Sequence, residues 1–253
     1  MKSNKKFRNP LQLFLYVCLL IIASNGLAGG AEVDCLECHD DLKEKKVIHA
    51  ALETGCESCH SAIDATDVPH EKTNSVDQGL SSEPPELCYE CHDKEDMEGK
   101  VTHSPVEGGE CTSCHNPHKS DNEKLLMSEP PALCYECHDE DDFKGKLTHA
   151  PVAVGKCVAC HGPHASDNLA LLLHKINKVC VKCHLEKDLT SGSHIISGFG
   201  NTVHPVKKKK DPKREGRTLS CSSCHNPHSS EWIKLFRYKA NSLYDLCMHC
   251  HDK

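Results

Sequence analysis

Aromatic side chains are scarce in this chain of 253 residues. It has one Trp, five Phe and five Tyr, which together make 4% of the sequence. A chain of this length ordinarily forms one or two globular domains, but so few large side chains leave little apolar surface to bury. The composition therefore excludes an ordinary side-chain core. Either another material fills the interior or the chain is disordered.

Cysteine and histidine are abundant instead, with 19 and 20 copies respectively. A bias of this size indicates metal sites, disulfides or a covalently attached cofactor. Basic residues do not outnumber acidic residues. Without residues 1–28 the chain carries 26 basic and 37 acidic residues, a net charge of −11, which argues against nucleic acid as a general partner.

Residues 1–28 have the pattern of a signal peptide. A positively charged start precedes an apolar run at 11–23 and small residues at 26–28. The run is short for a membrane span, although an uncleaved anchor is the alternative. Cys18 lies in this run, and bulky Val17 before it argues against lipid attachment. We therefore expect export to the periplasm or cell surface, an oxidising setting in which free thiols do not persist.

The other 18 cysteines form nine copies of Cys-x-x-Cys-His, with none left over. Five successive copies are spaced 23 residues apart, so two motifs make a 46-residue repeat. We interpret 29–253 as one domain with paired-motif units at about 35–70, 88–118, 134–164 and 180–228 and a half-unit at 247–253. The cysteine pairs, motif 1 to motif 9, are Cys35/Cys38, Cys56/Cys59, Cys88/Cys91, Cys111/Cys114, Cys134/Cys137, Cys157/Cys160, Cys180/Cys183, Cys221/Cys224 and Cys247/Cys250.

This motif is the attachment signature of haem c. Two thiols on one helical turn can reach the two vinyl groups of a haem, and the histidine that follows can bind the iron. Zinc ribbons and disulfide scaffolds are the alternatives, but neither has a reason to place histidine after every second cysteine. The sequence thus predicts nine covalent haems, which would also supply the missing apolar material. The predicted proximal ligands are His39, His60, His92, His115, His138, His161, His184, His225 and His251.

Most of the other histidines recur at fixed offsets from the motifs, which indicates distal ligands. The haem of motif 9 needs a ligand from upstream, and His174 and His194 are the two alternatives for it. His249 lies inside that motif and is not expected to bind iron. Met97, Met127 and Met248 recur in no pattern, so we predict two histidines for each iron and low potentials. The predicted distal ligands are His49, His70, His103, His118, His149, His164, His174, His194, His204 and His228.

Regular secondary structure should be sparse. Ser82 and Ser128 each precede Glu-Pro-Pro, which predicts a helix capped by the serine with prolines in its first turn. Pro117, Pro163 and Pro227 should stop the chain soon after a motif. The predicted fold is mainly α with little regular secondary structure, its short helices and long loops wrapped round a packed multihaem core.

One repeat contains Cys88-Tyr-Glu-Cys-His92, then His103-Ser-Pro-Val106, then Cys111-Thr-Ser-Cys-His115-Asn-Pro-His118. In these motifs the chain resembles multihaem c-type cytochromes with a doubled motif, of the cytochrome c3/c7-like superfamily. The resemblance covers 35–251. It implies bis-histidine haems and electron transfer in the periplasm or at the surface of respiring bacteria, including metal reducers.

We therefore expect an electron carrier or conduit for anaerobic respiration, with no catalytic residues. Its partners would be periplasmic or outer-membrane cytochromes or a quinol-oxidising complex. A multihaem reductase is the rival interpretation, but it needs an iron with an open position, and the surplus of histidines argues against one. A subunit of an outer-membrane or filament conduit remains a third possibility. The basic segment 207–217 is either a solvated loop or a docking patch for an acidic partner.

Overall fold

The helices of this protein are all short. The computed structural model describes residues 33–184, 189, 206 and 209–251, so the predicted signal peptide lies outside the described residues. Within them are seven α-helices of four or five residues: Glu86–Tyr89, Ser104–Glu107, Ala132–Tyr135, Ala150–Ala153, Ile176–Cys180, Cys221–Cys224 and Leu243–Cys247. The same residues form 3₁₀-helices at Cys35–Glu37, Asp40–Lys43, Ala50–Glu53, Cys56–Ser58, Asp77–Gly79, Lys94–Met97, Cys111–Ser113, Glu123–Leu125, Glu140–Phe143, Cys157–Ala159, Leu169–Leu171 and Ile233–Leu235. The prediction of short helices separated by loops is confirmed.

The predicted serine caps are wrong. The helices Glu86–Tyr89 and Ala132–Tyr135 begin after Pro85 and Pro131, which occupy their N-cap positions. A capping serine accepts a hydrogen bond from the backbone N–H two or three residues later. In Ser-Glu-Pro-Pro both of those residues are prolines, which have no N–H to donate. The Ser128 hydroxyl instead donates to the Glu136 carboxylate over 3.2 Å.

Eight two-residue strands form four antiparallel pairs, and three of these pairs join one repeat to the next. Strands β1 to β8 are Val47–Ile48, Ile63–Asp64, Glu71–Lys72, Val101–Thr102, Lys119–Ser120, Leu147–Thr148, Ala165–Ser166 and Ser229–Ser230. The pairs are β1 with β5, β4 with β7, and β6 with β8, while β2 and β3 pair locally. In each of these three long-range pairs, one strand directly precedes a predicted distal histidine and the other strand directly follows a second predicted distal histidine. The pairing therefore brings two predicted ligands close together.

The side-chain core is small and lies near the C-terminal end. It consists of Phe236, Ala240 and Leu246, with Trp232 and Leu243 packed against them. Phe236 is only 2% exposed, whereas apolar side chains such as Val68 and Val158 are 84% and 50% exposed. Across 33–184 and 209–251, no helix is both long enough and apolar enough to cross a membrane. Side chains alone therefore build little of an interior, as the scarcity of aromatic residues predicted.

Gly155 should be sensitive to substitution, because it combines a left-handed backbone with a close contact. Its φ is +70°, and a Cβ there would lie 2.4 Å from Cδ of Pro131. Gly216 has the same φ but no described heavy atom within 4 Å of such a Cβ, which makes it a matched control. We expect Gly216→Ala to cost about 1–2 kcal/mol through backbone strain, and Gly155→Ala to cost more because the proline ring cannot yield. Urea denaturation of the haem-loaded protein would measure both, and equal losses would contradict the steric argument.

Candidate metal and cofactor sites

One continuous cavity runs past eight of the nine motifs. Its volume is 4810 Å³, and its lining includes cysteines of motifs 1 to 8 together with all eight of their proximal histidines. Shared among eight motifs, this volume is about 600 Å³ each, within the roughly 300–1,000 Å³ typical of pockets for small organic ligands. The predicted distal histidines in the lining are His49, His70, His103, His118, His149, His164 and His228.

Each of these seven distal histidines faces one proximal histidine. The ring centroids of the pairs are separated by 6.0 to 6.3 Å. The pairs, in the order of the proximal residue, are His39–His70, His60–His118, His92–His49, His115–His164, His138–His103, His161–His228 and His184–His149.

This separation can accommodate one metal ion between the two rings. Two metal–nitrogen bonds of about 2 Å, with about 1 Å more from each nitrogen to its ring centroid, add to about 6 Å. The rings are nearly parallel in some pairs, at 8° for His103 with His138, and tilted in others, at 41° for His115 with His164. Axial ligation of an iron tolerates either orientation, because only the nitrogens must point at the metal.

The second nitrogen of four distal rings, those of His49, His70, His103 and His149, is held by the backbone. Nδ1 of His49 donates to the carbonyl of Pro117 over 2.7 Å, and the backbone N–H of His49 donates to the carbonyl of His118 over 2.8 Å. His103 and His149 make the same two bonds with the segments 163–164 and 227–228. Such a bond fixes the ring and leaves Nε2 for a metal. Each Pro-His step therefore both orients one predicted ligand and carries another.

Four proximal rings are held in a similar way by residues with left-handed backbone. Nδ1 of His115 donates to the carbonyl of Lys124 over 2.8 Å, and Lys124 has φ of 57°. The equivalent acceptors for His60, His161 and His225 are Gln78, Ala170 and Lys234, with φ between 54° and 58°. A non-glycine residue in this region costs about 1–2 kcal/mol, and such strain commonly marks functional sites. Nothing in the sequence marks these four residues as parts of a site.

Burial keeps three distal histidines in the form that binds metals. It is the main cause that lowers the pKa of His118, His164 and His228, and the proximal histidine that each one faces lowers it further. Metal ions bind the neutral imidazole, so a lowered pKa favours ligation at neutral pH.

None of the 18 motif cysteines forms a disulfide, and those of consecutive motifs lie close together. Burial raises the pKa of Cys88 to about 11, and the neighbouring Cys111 thiol adds to the effect. The same causes raise the pKa of Cys134 to about 11, with Cys157 as the neighbour. Free thiols in a shared cavity beside a histidine pair are the groups that covalent haem attachment needs.

The predicted ligands of the last two motifs are only partly described. His194 and His204 lie outside the described residues. His174 makes no ring contact with a proximal histidine of the described part of the chain, and burial lowers its pKa. His249 stacks on Tyr238 at 5.0 Å, and its Nε2 donates to the carbonyl of Lys239 over 2.8 Å. Within the described ranges, no three or more His, Cys, Asp or Glu side chains converge as a metal cluster.

Part of the basic segment 207–217 is structural. Asp211 is 7% exposed, and its carboxylate accepts hydrogen bonds from Nε of Arg214 over 2.8 Å and from the Ser223 hydroxyl over 2.6 Å. Ser223 lies between the two cysteines of motif 8, so this network fixes the position of the motif. Lys209 and Lys210 are exposed.

The comparison with protein families identifies the repeat. No curated protein matches the chain significantly. The family model described as the doubled CXXCH motif matches four segments, 49–97, 103–143, 149–189 and 211–253, which together cover more than half of the chain. Three of these segments begin at a predicted distal histidine, His49, His103 or His149. Members of this family carry covalently bound haem c and transfer electrons. The chain therefore belongs to the doubled CXXCH motif family of multihaem c-type cytochromes.

Proposed function

We propose that this protein is an electron carrier or conduit with nine covalent haem c groups, each ligated by two histidines. The observation that carries the proposal is the set of seven histidine pairs, which recur at the separation that a metal between two imidazoles requires. When bound, each haem supplies an iron that accepts and releases one electron. The chain would then fold round the haem groups, which take the place of a side-chain core.

The residues of each motif have separate tasks in this proposal. The two cysteines hold the porphyrin covalently, and the adjacent histidine binds the iron on the proximal side. A second histidine would bind the opposite side; it comes from another repeat at six motifs, whereas motif 1 has His70 of its own repeat. In each of the seven pairs a backbone carbonyl holds Nδ1 of one ring, the distal ring in four pairs and the proximal ring in three. This bond would limit reorganisation of the ligands when the charge on the iron changes.

The histidine pairs favour electron transfer over catalysis. A reductase binds its substrate at an iron with an open coordination position. At seven motifs, both axial positions have a candidate histidine within the described structure. A role as a subunit of a larger conduit uses the same chemistry and remains compatible with this arrangement.

The setting we propose is anaerobic respiration in the periplasm or at the cell surface. The signal-like segment 1–28 supports export, and partners would be other exported cytochromes or a quinol-oxidising complex. The charge distribution supports docking at distinct ends. Residues 33–184 contain 14 basic and 29 acidic residues, whereas 209–251 contain 8 basic and 4 acidic ones. An acidic redox partner would be attracted to the C-terminal end.

The haem content tests the proposal directly. Protein exported by a host with c-type maturation should bind nine haem equivalents by pyridine haemochrome assay, and its intact mass should exceed that of the mature polypeptide by nine haems. Its ferric EPR spectrum should be entirely low-spin. A matched variant, Cys247→Ser with Cys250→Ser, should lose one equivalent. Zinc in place of iron, or a high-spin signal in the wild-type protein, would contradict the proposal.

A further inference from the structure

We infer that the nine attachment motifs stand in single file, in the order of the sequence, so that the haem array is one unbranched row whose ends are motif 1 and motif 9. The occupancy of the row by haem rests on the proposed function. The order of the motifs follows from contacts of the polypeptide alone.

Within each repeat, the odd motif touches the even motif that follows it. Gly109, just before motif 4, approaches Pro85, just before motif 3, so closely that a Cβ would lie 2.6 Å from the proline ring. Gly155 and Pro131 bring motifs 6 and 5 together in the same way. Motifs 7 and 8 are joined by the backbone N–H of Cys221, which donates to the side-chain carbonyl of Asn177 over 3.0 Å.

Between repeats, the even motif touches the odd motif that follows it. The carbonyl of the second cysteine of the even motif accepts a hydrogen bond from a backbone N–H shortly before the odd motif. In three cases the donor lies seven residues before the first cysteine of the odd motif, and in the fourth case it lies ten residues before it. These bonds are Ser81 to Cys59 at 2.8 Å, Met127 to Cys114 at 2.8 Å, Leu173 to Cys160 at 2.9 Å and Arg237 to Cys224 at 2.8 Å.

The thiols repeat this alternation. First cysteines are neighbours within a repeat, as Cys35 is to Cys56 and Cys88 is to Cys111. Second cysteines are neighbours between repeats, as Cys59 is to Cys91. The same neighbours recur later in the chain: Cys134 with Cys157, Cys180 with Cys221, Cys114 with Cys137, Cys160 with Cys183, and Cys224 with Cys250.

This alternation produces a row instead of a cluster. The thiols of an interior motif lie near those of the preceding and following motifs, and the first thiols of motifs 3 and 5 lie near both. Every thiol neighbour named above belongs to a consecutive motif. A path from end to end along the row therefore has no bypass, and the loss of one interior haem should separate the haems on its two sides.

The test uses haem-loaded protein films anchored at one end by a tag. Cys134→Ala with Cys137→Ala removes the haem of motif 5, and Cys180→Ala with Cys183→Ala removes that of motif 7. Slow-scan voltammetry counts all bound haems, and fast-scan voltammetry counts those connected to the electrode. For the motif 5 variant, fast scans should count the four haems of motifs 6 to 9 when the protein is anchored at its C-terminus, and the four haems of motifs 1 to 4 when it is anchored at its N-terminus. For the motif 7 variant, they should count the haems of motifs 8 and 9 from a C-terminal anchor and those of motifs 1 to 6 from an N-terminal anchor.

Fast connection of all eight remaining haems from either anchor would overturn the inference, because it would reveal a bypass. Intact wild-type protein provides an independent measure that needs no variant to fold. Anomalous X-ray scattering from its crystals would locate the irons. The row requires each iron to have the irons of the preceding and following motifs as its nearest neighbours. A nearest pair from non-consecutive motifs would overturn the inference, even if the proposed electron-transfer function stands.

Discussion

Replacement of His149 by alanine should convert one haem from low-spin to high-spin, and that haem should be the one of motif 7. The ring of His149 lies 6.1 Å from that of His184, the proximal histidine of motif 7. The proximal histidine closest to it in sequence, His138, faces His103 instead. Loss of one axial imidazole leaves a five-coordinate iron, so a high-spin ferric EPR signal equal to about one ninth of the haem should appear.

His249→Ala is the matched control, because His249 is not expected to bind iron and its Nε2 donates to the carbonyl of Lys239. It should leave every haem low-spin. A second control identifies the affected haem. His149→Ala should give no high-spin signal when Cys180 and Cys183 are also replaced by alanine, but should still give one when Cys134 and Cys137 are replaced. The reverse pattern would mean that His149 binds the haem of motif 5, in its own repeat.

The set of candidate ligands could be predicted because it depends on local repetition. His118, His164 and His228 each lie seven residues after the first cysteine of their motif, and this offset distinguishes them from ordinary surface histidines. The structure brings His118 beside His60, two motifs upstream.

The individual pairings could not be predicted, because they depend on contacts between repeats. Strands of two residues, such as Val101–Thr102 and Ala165–Ser166, are too short to show a periodic pattern. Their pairing nevertheless decides that His103 lies beside the chain that carries His164. No local signal in the sequence specifies which repeat supplies the partner strand.

The left-handed acceptors could not be predicted for a different reason. A left-handed residue is usually recognised by glycine, asparagine or aspartate. Gln78 is followed by Gly79, but the equivalent positions of later repeats are Lys124-Leu125 and Ala170-Leu171, which carry no such signature. Their backbone is determined by the hydrogen bond to the proximal histidine, which is a tertiary contact. Asp211 gives no signal either, because an aspartate within a basic segment resembles an ordinary surface charge.

Asp211→Ala should strongly destabilise the protein near motif 8. The side chain of Asp211 is 2% exposed, and that of its partner Arg214 is 23% exposed. Removal of one partner of a buried ion pair typically costs about 3–5 kcal/mol. The substitution also leaves the Ser223 hydroxyl and the backbone N–H groups of Lys213 and Arg214 without their acceptor. We expect a loss of about 3 kcal/mol in the free energy of unfolding.

Trp232 provides a local probe for this loss. It is the only tryptophan and packs against the small core beside motif 8. Haem nearby should quench its emission, which should rise when this region unfolds in urea. The midpoint for Asp211→Ala should fall by about 1–3 M relative to the wild-type protein, given the usual urea dependence of small proteins. The control, Glu140→Gln, removes an exposed pair with Lys144 and should cost at most about 1 kcal/mol.

The effect of pH on the stability that Asp211 contributes gives a further check. Burial alone would raise the pKa of Asp211, but the Ser223 hydroxyl, the Lys213 N–H and the Arg214 guanidinium outweigh it and hold the pKa below its usual value. A carboxyl with a lowered pKa in the folded state adds stability above its unfolded pKa of about 4, and this stability is lost as the pH falls through the folded pKa. The difference in the free energy of unfolding between the wild-type protein and Asp211→Asn should therefore be constant from neutral pH down to about pH 4, and it should become smaller below that pH. A gap that is unchanged at lower pH would mean that the charge of Asp211 contributes nothing, and that packing and hydrogen bonds alone hold motif 8 in place.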